Sequence, residues 1–193
     1  MTLRRHVPDN LPAVVRWYRD PELARLSRYQ VQPMTPAEVE HFFRTRMLDP
    51  QAFAYAIHER PSDRLVGLAT FSNLDPDNGS ALFHITIGEH DAWGRGFGTE
   101  ATTLMVAHAF DVLGLHRVGL SVFAFNERAL RTYEKVGFRV EGRLREAIWR
   151  DERYWDEIQM GILAHEWREL QVRSITPDET WVADRTAAVE VMG

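Results

Sequence analysis

Three observations on this 193-residue sequence predict an α/β chain of the α+β kind. Short β-branched and aromatic runs separated by turn residues occur three times in succession between residues 53 and 87, the pattern of an antiparallel meander. Helical and strand periods then alternate from residue 99 to residue 136, and a long hairpin closes the pattern by residue 162, giving the order βββ, α, β, α, ββ. Hydrophobic residues at 45% and charged residues at 26% match ordinary globular usage, which excludes a disordered, collagen-like or coiled-coil chain. One domain over residues 1–170 is expected, with a C-terminal tail over 171–193 that docks on the domain or on a partner subunit.

In chain order, Asp9-Asn10 precedes Leu11, Val14, Val15, Trp17 and Tyr18 at helical spacing, and Asp20-Pro21 interrupts that helix. Thr35-Pro36-Ala37-Glu38 reads as a capping box with proline in the first turn, opening a helix that runs to about Leu48. Phe53–Ile57 and Leu65–Phe71 read as strands joined by the turn group Glu59-Arg60-Pro61-Ser62-Asp63, and Ala81–Ile87 follows Asp75-Pro76-Asp77-Asn78-Gly79 as the third. From Thr99 to Leu113 the charges are Glu100 and Asp111, so this helix is apolar around most of its circumference and needs cover on more than one side. Val118–Phe125 is a buried strand, Asn126–Val136 a helix stopped by Gly137, and Phe138–Trp149 with Tyr154–Ile162 the closing hairpin. Asp151-Glu152 at its tip lacks the glycine that favours a tight turn, which suggests a looser one.

Zero cysteines exclude a disulfide framework, a thiolate nucleophile, a Cys-based zinc site and an iron–sulfur cluster. No run approaches the roughly 20 apolar residues of a membrane helix, and Met1–Pro8 has no signal-peptide core, so no membrane and a cytoplasmic location are expected. A formal charge of −5 with signs interspersed argues against nucleic acid as a partner. No metal-ligand spacing is present.

The most informative stretch is Asp91-Ala92-Trp93-Gly94-Arg95-Gly96-Phe97-Gly98-Thr99, where a strand ends and a long helix begins. Glycines there allow left-handed backbone, and free N–H groups at a helix start suit phosphate oxygens, with Arg95 able to add charge. By itself the loop is also compatible with a tight turn holding no ligand. Its glycine spacing fails the dinucleotide fingerprint, because Thr99 and Ala101 stand where a third glycine belongs, and no lysine makes it a P-loop. It resembles the pyrophosphate-binding turn of the Gcn5-related N-acetyltransferases (GNAT). Asn126-Glu127-Arg128-Ala129-Leu130-Arg131-Thr132-Tyr133-Glu134-Lys135-Val136-Gly137-Phe138 is similar to that family's Asn-x-x-Ala-x-x-x-Tyr-x-x-x-Gly-Phe segment. Glu141–Glu146 with Asp151–Asp156 resembles the subgroup of ribosomal-protein alanine and diamine acetyltransferases.

The resemblance implies a mixed, mostly antiparallel, strongly twisted sheet of about seven strands flanked by about four helices. It implies that acetyl-CoA is the acyl donor, with its pantetheine arm beside Ile85, Thr86 and Ile87 and its pyrophosphate on the backbone of Trp93, Gly94, Arg95, Gly96, Phe97, Gly98 and Thr99. Trp93 departs from the Gln or Arg of most relatives. Asn126 either caps its helix or bonds the cofactor arm, and Tyr133 is either a core aromatic or the proton donor to the leaving thiolate. The chemistry needs an oxyanion donor, for which an N–H near Ile87 serves, and a proton sink. Relatives that carry a glutamate for that purpose place it where Ala81 or Ser121 stands here, so His84, a water relay or an amine arriving neutral remain.

Acceptor specificity is expected from Trp17, Tyr18, the Tyr29–Met34 loop and the hairpin aromatics Trp149, Tyr154 and Trp155. The expected activity is direct transfer of an acetyl group to a primary amine in a ternary complex. The acceptor is a protein N-terminus or a small amine such as a polyamine or antibiotic, with a non-catalytic acyl-CoA sensor as the rival reading. A homodimer is the expected assembly.

Overall fold

A computed structural model describes residues 1–174. A seven-stranded sheet has the order β1-β2-β3-β4-β5-β7-β6. Its strands are β1 (Thr2–Arg5), β2 (Ala54–His58), β3 (Leu65–Asp75), β4 (Ser80–Ile87), β5 (Arg117–Phe123), β6 (Arg139–Arg150) and β7 (Arg153–Leu163). Every neighbouring pair is antiparallel except β4 with β5, which run parallel. The meander and the closing hairpin are therefore as expected, and β7, not β6, lies against β5.

Six α-helices flank the sheet among the described residues, where about four were expected: α1 (Leu11–Arg19), α2 (Pro21–Ser27), α3 (Pro36–Phe42), α4 (Phe97–Ala107), α5 (Glu127–Val136) and α6 (Ala164–Ser174). α3 and α4 each continue through a π-helical turn, Phe43–Met47 and His108–Val112. The unanticipated helix α2 arises because Asp20-Pro21, which ends α1, also starts its successor: the Asp20 carboxylate accepts from the N–H groups of Glu22 and Leu23, and proline fits the first turn. Thr35 and Glu38 form the expected capping box of α3. Gly137 ends α5 at φ 112°.

Two apolar clusters cover the two faces. Val14, Trp17, Leu23, Val39, Phe43 and Met47 pack with Ala54 and Leu68 on one face. On the other, Ala101, Met105, Val106, Ala109 and Phe110 of the α4 region meet Phe83, Val118, Leu120, Val122, Tyr133 and Trp167. The breadth of this second cluster answers the apolar circumference of α4. The hairpin tip is tight, not loose. Arg150 pairs with Arg153 across Asp151 and Glu152, both left-handed at φ 52° and 60°. α6 continues four residues beyond the boundary expected at 170, and the tail from residue 175 onward lies outside the described residues. Among the described residues, no helix is long and apolar enough to cross a membrane.

Candidate active site

The site is built where the one parallel pair comes apart. β4 and β5 pair only over Ser80–Leu82 and Arg117–Gly119; beyond that β4 stays with β3 through Ile87 while β5 stays with β7 through Phe123. The bond from Gly88 N to Val66 O fixes the alternation along β4. Leu82, His84 and Thr86 therefore turn their backbone groups toward β3, whereas Phe83, Ile85 and Ile87 turn theirs into the wedge. Of the three residues expected along the pantetheine arm, Ile85 and Ile87 turn their backbone into the wedge; Thr86 pairs with Leu68.

The glycine loop closes the wide end of the wedge. Gly94 and Gly96 have φ of 74° and 90°, and no atom lies within 4 Å of where a Cβ would stand on either. Their need for glycine is conformational. Gly96 caps α4 without any side-chain bond, and the first intrahelical bond runs from Glu100 N to Gly96 O at 3.0 Å. The N–H groups of Phe97, Gly98 and Thr99 are thus left at the positive end of the helix, an arrangement that accepts phosphate oxygens. Arg95 does not add its charge here, because its guanidinium pairs with Glu59, beside the Arg64 pairs with Glu59 and Asp91. The Trp93 indole donates to Ile87 O at 2.7 Å, so of that residue's two wedge-facing groups the N–H is the one left for a ligand. His90 stacks on the same indole at 4.2 Å, and the Arg128 guanidinium lies 3.9 Å from its centroid. Sequence reading missed a second fixture of this turn: a Cβ on Gly88 would stand 2.1 Å from the Trp17 ring, whose N–H donates to Glu89 at 2.9 Å.

Tyr133 projects from α5 into the same cavity, which has a volume of about 1450 Å³. It is 8% exposed, edge-on to Phe138, and its phenol has no hydrogen-bond partner among the described residues. Burial pushes its pKa up to about 12, so the hydroxyl keeps its proton at neutral pH. Asn126 serves as N-cap: its side chain accepts from Ala129 N at 3.2 Å and donates to Leu26 O at 3.2 Å, tying α5 to α2. His84 lies on the opposite sheet face from Ile85, with Nε2 2.7 Å from Ser72 Oγ, and desolvation holds its pKa below the ordinary histidine value. Ser72 is a partner that the sequence did not reveal, being twelve residues away on β3.

At the far end, Tyr18, Arg28, Tyr29, Met34 and Phe42 line the cavity. Tyr29 sets its ring edge against Phe123 and donates its hydroxyl to the buried Glu157 at 2.6 Å. Burial and that carboxylate push the phenol's pKa up to about 12. Arg150 grips the carbonyls of Arg28 and Tyr29, and Arg25 forks onto Asp151. Trp149 and Tyr154 turn outward, packed on each other, and Trp155 bonds Arg150 O, so none of these three lines the cavity.

A wedge with unused strand backbone on one wall, uncapped helix amides at its mouth and a protonated, unpartnered phenol in its depth fits a long phosphorylated acyl carrier. The class this defines is an acyltransferase. A family model described as "Acetyltransferase (GNAT) domain" matches residues 1–139. An N-acetyltransferase of Bacillus licheniformis, p20, is 25% identical over 150 residues, 76% of this chain and 83% of the relative. The spermidine N(1)-acetyltransferase of Escherichia coli strain K12 is 31% identical over 119 residues, covering 58% of this chain and 63% of its own. The crystal structure of a Vibrio cholerae spermidine N-acetyltransferase with CoA and spermine superposes with a TM-score of 0.78 at 24% identity, over 86% of this chain and 97% of that one, a likeness of fold. The chain belongs to the GNAT acetyltransferases. It is an N-acetyltransferase that acts on amines and uses acetyl-CoA.

Proposed function

We propose that the protein transfers acetyl directly from acetyl-CoA to a primary amine, most readily the α-amine of a peptide N-terminus, with both substrates bound at once. The observation that carries this is the separation of β4 from β5 directly below the uncapped start of α4. Bound there, acetyl-CoA supplies a thioester carbonyl and a thiolate leaving group. In this reading the amides of residues 94–99 hold the diphosphate, while Ile85 and the N–H of Ile87 face the arm. The Ile87 N–H also serves the carbonyl oxygen as negative charge develops on it. Tyr133, protonated up to about pH 12, gives its proton to the thiolate.

His84 takes the proton from the attacking amine, with Ser72 fixing its ring. Its lowered pKa keeps it neutral and able to accept at pH 7, and also makes it a weak base. Such a base matches an α-amine, whose pKa is about 8, better than an alkylamine near 10. The charges at the acceptor end point the same way. Arg28 and Arg46 line it with Asp49 as the sole carboxylate on the lining, a poor receptacle for a polycation. A polyamine acceptor is the second reading, favoured by the spermidine acetyltransferases among the relatives.

The test is CoA thiol release from acetyl-CoA with peptides of differing N-terminal residue against spermidine and spermine. Peptide-dependent release with modification of the N-terminal nitrogen, seen by mass spectrometry, is the expected result. Release with polyamines alone overturns the peptide assignment, and release with no amine overturns the transfer reading.

A further inference from the structure

The diphosphate of the donor carries two negative charges, and the loop that faces it supplies amides but no free cation. Position 93, where the resemblance expects Gln or Arg, is a tryptophan whose N–H is spent on Ile87 O. Arg95 is committed to Glu59, and Arg131, one turn along α5, pairs with Glu127. Arg128 differs from all of these. It lines the cavity with Gly94 and Gly96, its guanidinium carbon lies 3.9 Å from the centroid of the Trp93 ring, and it has no ion pair or side-chain hydrogen bond among the described residues. It stands in the first turn of α5, where the helix dipole disfavours a cation, so the helix itself gives no reason for the charge. Cation–π attraction to the indole beneath it holds the guanidinium in place while its N–H groups stay available.

We propose that Arg128 is the side-chain cation that meets the donor's diphosphate, with Trp93 as the platform that aims it. The cation then sits on the facing helix and not at the first position of the glycine loop, and the tryptophan at that position is its support. This rests on the reading of the wedge as the acetyl-CoA site.

Calorimetric binding of CoA and of 3′-dephospho-CoA to the full chain tests it without an acceptor. Arg128→Gln is expected to weaken both ligands at least tenfold, by similar factors, while Arg131→Gln changes either by less than twofold. Arg128 is solvent-exposed, so melting temperatures are expected to stay equal and a folding defect is excluded by the same samples. Three results overturn the proposal: unchanged affinity in Arg128→Gln; a loss with CoA but not with 3′-dephospho-CoA, which assigns the arginine to the 3′-phosphate; or an equal loss in Arg131→Gln, which reduces the effect to general charge. Failure of the wild-type protein to bind either ligand overturns the underlying reading of the wedge instead.

Discussion

Tyr133 shows how one residue can satisfy a structural and a chemical demand together. Its ring belongs to the core between α5 and the sheet, while its hydroxyl has no hydrogen-bond partner among the described residues. Tyr133→Phe keeps the packing and removes the proposed proton source. Turnover is expected to fall by about 10²-fold or more, with acetyl-CoA affinity within a factor of about two. Because the phenol titrates near 12, the wild-type pH–rate profile should show no descending limb up to pH 10; a fall between pH 8 and 9 would remove Tyr133 as the acid.

The glycines separate by the same logic. Gly96→Ala forces a side chain into φ 90° and should cost about 1–2 kcal/mol in urea unfolding. Gly98 has helical backbone, and its nearest atoms to a new Cβ are 3.8 and 3.9 Å away, so Gly98→Ala should melt no lower than wild type. Both positions look alike in the sequence, which reveals a glycine but not its dihedrals. His84 and Tyr133 were legible as candidates because their types carry chemistry. Ser72 and Arg128 were not, since each acquires meaning from a contact between separate elements.

At the scale of elements, legibility followed the strength of local signals. The capping box at Thr35 and the stop at Gly137 placed α3 and α5 because cap chemistry is local. β1 went unread: Thr2-Leu3-Arg4-Arg5 is four residues long, carries two charges and lies at the sheet edge, so it needs no apolar run. α2 was hidden because its N-cap doubles as the terminator of α1. The β6–β7 tip was misjudged from its lack of glycine, since Arg25 fixes Asp151 in a left-handed conformation that aspartate tolerates. Glu152, also left-handed and with no such tie, carries the strain. Glu152→Gly should stabilise the fold by about 1 kcal/mol, read as a rise in the denaturant midpoint at constant slope.

For the whole molecule, acid sensitivity follows from histidines that the fold desolvates, one of them buried. His6 is 6% exposed, edge-on to Phe43, and desolvation lowers its pKa from 6.5 to about 4; His84 and His108 are shifted the same way. The unfolded chain therefore binds more protons than the folded one below pH 6.5, and stability is lost as pH falls from 6.5 toward 4. The His6 shift alone corresponds to about 3 kcal/mol across that window. Carboxylates such as Glu59, with their pKa lowered by a neighbouring arginine, add to the loss only below about 4.5. Equilibrium unfolding of His6→Phe between pH 7 and 4.5 should show a shallower decline than wild type; an identical slope would clear His6 of the effect. The sequence could not supply this, because burial of a residue near the N-terminus depends on a helix forty residues later.

α2 and the segment after it are stitched to the far hairpin three times, by Arg25 on Asp151, by Arg150 on the carbonyls of residues 28 and 29, and by Tyr29 on Glu157. One wall of the cavity's far end, the proposed acceptor site, and a hairpin more than 120 positions downstream are therefore a single cassette. Transplanting either half alone into a relative would leave a buried arginine or glutamate without its counterpart. Changes of acceptor preference should therefore arise by exchanging both halves together.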